Sequence, residues 1–179
     1  MKNLKIGFIA LCGLLLTFSA CKKDKDATPS NSFVVDNKSY TTDNAMAMTS
    51  RPGTVDAETL LILSKQAASS TLNNYNFVAF DFYKNELPAS GTYTFKDDKA
   101  ADFDTTKNFA VVSLGYNLNP NIDQYENANF DSEEFDATGS TVTISKSGSN
   151  YTFNYTLKFT DKNNKTTTIP GQYIGTVSQ

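Results

Sequence analysis

The chain has 179 residues, a formal charge of −3 and an isoelectric point near 4.9. That balance excludes the basic footprint that nucleic-acid binding requires. The chain has no histidine and only two cysteines, Cys12 and Cys21, which excludes Ser-His-Asp and Cys-His catalysis and the usual zinc sites.

Lys2 and Lys5 open the chain with positive charge, and Ile6 to Phe18 is apolar apart from Gly7, Cys12, Gly13 and Thr17. Small residues, Ser19 and Ala20, follow. Positive start, apolar middle and small-residue end predict a secretory signal over residues 1–20. The run is short for a transmembrane span, which needs about 20 residues. Phe18-Ser19-Ala20-Cys21 resembles the bacterial lipobox, with Phe18 where leucine is commonest. The resemblance implies that Cys21 is acylated and becomes the first residue of the mature protein. The alternative is an ordinary signal with an incidental cysteine. Lys22-Lys23-Asp24-Lys25-Asp26 then resembles the charged signal that sends lipoproteins of Bacteroidetes-type bacteria to the outer face of the outer membrane. A cell-surface location is therefore expected ahead of a periplasmic one. Residues 21–32 lack apolar groups to bury and read as a flexible tether.

Residues 33–179 are expected to form one domain. Loss of the signal removes Cys12, Lys2 and Lys5, so the mature chain has no disulfide and is two charges more negative. Phe33 to Val35 and Lys38 to Tyr40 flank Asp36-Asn37, a short hairpin signal. Ala45 to Met48 predicts a strand, and Arg51-Pro52-Gly53 a turn. Thr59 to Leu63 is apolar throughout. It fits a strand better than a short helix starting at Asp56. Asn76 to Tyr83 places Val78, Phe80 and Phe82 on one face, and Thr92 to Phe95 and Phe109 to Leu114 predict further strands.

Two polar stretches intervene. One runs from Lys96 to Asn108. The other, Asn117 to Ala137, is long for a loop. Its Tyr125, Phe130 and Phe135 predict that it packs back on the sheet, with a short strand near Ala128 to Phe130. Thr141 to Ser145 and Tyr151 to Phe159 alternate strictly and flank Ser147-Gly148-Ser149-Asn150, a hairpin. Thr166 to Ile169 and Gln172 to Val177 close the domain, with a bulge or kink expected at Pro170-Gly171. The fold class is all-β: an antiparallel β-sandwich or partly closed barrel of about eight to ten strands.

With these strands placed, the chain resembles small Bacteroidetes-type lipoproteins of unknown function. The matching segments are the lipobox, Val35-Asp36-Asn37-Lys38-Ser39-Tyr40, Gly91-Thr92-Tyr93-Thr94-Phe95, Gly139 to Ile144 and Gly171 to Gly175. The resemblance implies a β-sandwich or calycin-like barrel behind a lipid anchor, and it carries no functional residues.

Asp123, Glu126, Asp131, Glu133, Glu134 and Asp136 lie close in sequence with no Lys or Arg among them. Calcium takes six to eight oxygen ligands, so this loop is the candidate metal site. Without Asp-x-Asp-x-Asp-Gly spacing, the competing reading is a solvated acidic loop. Asp81 interrupts an apolar strand, and its alternation points it away from Val78, Phe80 and Phe82, toward solvent. Tyr40, Tyr75, Tyr116, Tyr125 and Tyr173 sit near turns or strand ends, as a sugar-stacking platform or as rim packing.

Together these features point to a non-enzymatic, lipid-anchored binding module whose partner is a glycan or an outer-membrane protein. A β-barrel carrier of a small apolar ligand and a carboxylate-based glycan hydrolase are the alternatives. Acyl chains anchor by about 0.8 kcal/mol per buried CH₂. Cys21→Ser is therefore expected to abolish palmitate labelling and release the protein from washed membranes; continued labelling would refute the anchor.

Overall fold

The computed structural model describes residues 31–53, 57–65, 75–119 and 127–179. The signal, Cys21 and most of the tether lie outside them. The described chain is built from strands, with no helix. β1 (Ser32–Val35), β2 (Lys38–Thr41), β3 (Asn44–Ser50), β4 (Glu58–Ser64), β5 (Tyr75–Phe82) and β6 (Gly91–Phe95) come first. β7 (Asn108–Phe109), β8 (Val111–Leu118), β9 (Phe130–Asp131), β10 (Thr141–Ser147), β11 (Asn150–Thr160) and β12 (Thr166–Thr176) follow. A seven-stranded sheet has the order β2-β1-β12-β11-β10-β6-β7, and a five-stranded sheet the order β3-β4-β5-β8-β9. All pairings are antiparallel except β6 with β7. The twelve strands exceed the expected eight to ten because short β7 and β9 add to the count.

Two-residue periodicity decides which side chains meet. Phe33, Val142, Ile144, Phe153, Tyr155, Leu157 and Ile169 face inward from the larger sheet. Ala45, Ala47, Leu61, Leu63, Val78, Phe80, Phe82, Val112 and Leu114 face them from the smaller one. Phe80 is at the centre of the seam. Its ring lies 5.5 Å from Phe109 and 5.7 Å from Tyr155, both edge-on. Such edge-to-face contacts add to area burial, which alone contributes about 1.5–3 kcal/mol for each fully buried large side chain.

The architecture is thus sandwich-like, with two facing sheets not closed into a barrel. Two backbone links tie the sheets at their sides. The Ser178 N–H donates to Ala45 O and the Ala47 N–H to Ser178 O, so the C-terminal tail covers β3. Opposite, the Ala110 N–H donates to Asp81 O.

Some expected elements differ. Phe109 to Leu114 is not one strand: β7 belongs to the larger sheet and β8 to the smaller, and the chain changes sheets at buried Ala110. Pro170-Gly171 makes no kink. β12 stays in register with β11 from Thr166 to Thr176. Pro170 has no N–H to donate, and the pairing of β12 with β1 reaches Gln172 and Gly171 and stops there. Glycine at 171 is required by contact, because a Cβ there would collide with the Tyr155 ring. The early hairpin forms as expected, with Asp36 and Asn37 at φ 49° and 63°, the left-handed pair of a tight type I′ connection. Phe130 and Phe135 pack on Phe159 at 5.1 and 6.2 Å, so the long loop does return to the core.

Tyr155 Oη and Thr42 Oγ1 are both buried and near each other without meeting hydrogen-bond geometry. Burial pushes the Tyr155 phenol well above its ordinary range. Replacing both members of an unmade pair by apolar isosteres is nearly neutral. The Tyr155→Phe/Thr42→Val double variant should therefore match or exceed wild-type stability, whereas Phe80→Ala should lose about 3–5 kcal/mol, both read from urea midpoints.

Candidate functional site

The outer faces of the two sheets differ in chemistry. On the larger sheet, cross-strand rows align Thr94, Thr141, Thr156 and Pro170, then Thr92, Thr143, Asn154 and Gln172. Thr92 and Thr143 share a hydroxyl hydrogen bond of 2.9 Å, and Gln172 donates to Asn154. These rows carry no charge. They line a shallow open depression of about 440 Å³ between β10, β11 and β12.

The outer face of the smaller sheet is apolar. One row aligns Met48, Leu60, Asp81 and Val111, and the next aligns Met46, Ile62, Ala79, Ser113 and Asp131. Met46 and Met48 are 42% and 45% exposed, and Leu60 and Val111 are half-buried. Farther along, Ile62, Phe77, Ala79 and Leu118 form a separate small cluster with Leu60, Tyr75 and Ala128 around it. Phe77 and Leu118 can lie across β8 because Gly115 has no side chain; a Cβ there would be 2.5 Å from each.

Asp81 stands in the apolar row. Alternation does turn it away from the core, as its position in β5 predicts, and leaves it partly exposed. Leu60 and Val111 flank it, it is half-buried, and its Oδ1 has no hydrogen-bond partner. Desolvation, with the Glu58 charge second, pushes its carboxyl up to about 6. Glu58 is one turn of the pleat along β4 and pairs with Arg51 at 3.1 Å. Tyr83 donates to Asp98 at 2.9 Å, and its phenol is pushed up to about 12 by desolvation first and by that bond second.

The described acids of the long loop make local contacts. Asp131 accepts from the Ser113 hydroxyl through Oδ2 and from the Glu133 N–H through Oδ1. Asp136 accepts from the Thr138 N–H at 2.9 Å, and bonding from Thr138 holds its carboxyl below the usual carboxylate range. Both are occupied in local turns, while Glu133 and Glu134 are exposed. Among the described residues no three acids or cysteines group in a metal-holding set. Asp123 and Glu126 lie outside the described residues.

The tyrosines scatter. Tyr40 and Tyr116 are half-buried with rings 4.6 Å apart, beside Phe33. Tyr75 lies on the outer face near Phe77. Tyr173 is buried and donates to Thr176 O at 2.7 Å. Tyr125 is outside the described residues. Sequence inspection passed over Met46, Met48, Leu60 and Val111 as site residues. The available signal was an uninterrupted apolar run, Thr59 to Leu63, in a strand with only one face toward a core.

No family model, curated protein or solved structure matches the chain.

A carboxyl whose native pKa is raised binds more protons folded than unfolded between the unfolded value, about 4, and about 6. Stability is then highest below that window and falls as pH rises through it. Wild type should lose about 1–2 kcal/mol between pH 4 and 7 relative to Asp81→Asn, after discounting for solvent screening on its exposed side. Parallel pH–stability curves for the two proteins would contradict the assignment.

Proposed function

We propose that the chain is an outer-membrane lipoprotein, anchored through Cys21, that acts as a non-enzymatic binding module and docks a partner protein on the outer face of its five-stranded sheet. The observation that carries this reading is the strip of Met46, Met48, Leu60 and Val111. In a two-sheet domain the second face of an antiparallel sheet is normally polar. Contiguous exposed apolar surface marks interaction sites, and methionines adapt to varied partner shapes. The likeness of Lys22-Lys23-Asp24-Lys25-Asp26 to the charged outer-face export signal supports the surface location.

Strand addition is a weaker route, because the edges are short or occupied. β2 has four residues, and its Thr41 carbonyl accepts from Asn76. The tail at Ser178 covers β3. A second reading, glycan binding, is favoured by the uncharged hydroxyl and amide rows of the larger sheet. The carrier reading is weakened by Phe80, Phe82, Phe109 and Tyr155 packed ring against ring between the sheets. Hydrolysis is weakened by the placement of Asp81 and Glu58 on a sheet face rather than across a cleft.

A photo-crosslinking residue placed at Met48 in intact cells should give one discrete protein adduct, lost when Leu60→Asp is added. The same residue at Thr143 should give none. Adducts at Thr143 alone, or adducts at Met48 that survive Leu60→Asp, would overturn the assignment of the face.

A further inference from the structure

We infer that Asp81 is the specificity-determining residue of the apolar face, and that it selects a partner segment presenting a lysine side chain between apolar neighbours. The inference rests on the docking reading above and adds the chemistry of the occupant.

The cross-strand row around Asp81 is built for a cation with an apolar stem. Leu60 and Val111 border the carboxyl on either side, and Met48 continues the row to the sheet edge. Asp81 Oδ1 is buried without a donor. A carboxylate in this state is unfavourable in the free protein, because an ionised group out of water needs a partner. The burial and the raised proton affinity of the carboxyl describe one strain, which a donor from outside would relieve.

The charged and titratable groups around Asp81 leave that role to an outside cation. From β4 the neighbour is Glu58, whose carboxylate already takes Arg51 at 3.1 Å. Beyond the end of β5 stands Tyr83, which donates to Asp98 rather than to Asp81. β8 supplies Val111 and Ser113, and the Ser113 hydroxyl is given to Asp131. Glu58 adds negative potential at Asp81, so the row is apolar in contact and acidic at its centre. That combination repels an acidic peptide and leaves a neutral apolar one with the desolvated carboxylate uncompensated. A carboxyl with one oxygen buried and only part of its surface exposed suits a compact ammonium, whose methylenes can lie along Leu60 and Met48 while its charge meets the exposed side of Asp81.

The test uses the full-length chain in zwitterionic micelles and two probes, acetyl-Leu-Lys-Leu-amide and acetyl-Leu-Gln-Leu-amide. Binding is followed by amide shifts at Leu60, Asp81 and Val111. At pH 7.5 the lysine peptide should bind about tenfold more tightly than the glutamine peptide. The ratio should collapse toward one in Asp81→Asn and in wild type at pH 4.5. The carboxyl ¹³C titration of Asp81 should move to lower pH when the lysine peptide is present. Equal affinity of the two peptides, or an unchanged ratio in Asp81→Asn, overturns the role of Asp81 and leaves the apolar face standing. Failure of both peptides to shift these amides overturns the face as well.

Discussion

The edge-on packing of Phe80 against Phe109 and Tyr155 holds the two sheets together. Phe80 is on a central strand of the smaller sheet, Tyr155 on a central strand of the larger, and Phe109 at the point where the chain passes from one sheet to the other. The domain has no tryptophan, and its described part has no disulfide to close it. Aromatic area must therefore supply the cohesion that a disulfide framework supplies in smaller secreted domains. Phe82, Tyr93 and Phe153 extend the seam to either side. Tyr155 belongs to it although its hydroxyl is unsatisfied, since its ring area outweighs one unmade hydrogen bond.

That filled interior pushes variety to the outside. Once alternate residues of every strand are committed to the seam, the remaining residues are free to differ between sheets. The larger sheet carries Thr, Asn and Gln in registered rows, which bond to each other across strands and stay well hydrated. The smaller sheet carries Met, Leu, Ile and Val, with Asp81 set between Leu60 and Val111. Two such faces on one domain can serve different contacts. The acidic loop belongs to neither: its Asp131 and Asp136 shape turns that return Phe130 and Phe135 to the core.

Much of the fold was legible because period-two alternation is local. Tyr151 to Phe159 announces both its strand and its inward face, and Asp36-Asn37 announces its turn by the conformation those residues tolerate. The sheet change at Ala110 was not legible, because Phe109 to Leu114 alternates poorly and either half can extend the other. Pro170 misled for a related reason. Its penalty depends on whether a neighbouring strand asks for its N–H, and that is known only once β1 is in place.

The sequence by itself determined the all-β class, the strand faces and the classes of chemistry that missing histidine excludes, since each follows from residue type and short-range spacing. Tertiary structure alone decided that the strands form two facing sheets rather than a closed barrel, and that Asp131 and Asp136 accept from turn N–H groups. It alone also placed Asp81 between Leu60 and Val111. The physical reason is common to all three: hydrogen-bond registry between strands far apart in sequence sets which side chains become neighbours, and a carboxylate's solvation depends on those neighbours rather than on the residues beside it in the chain.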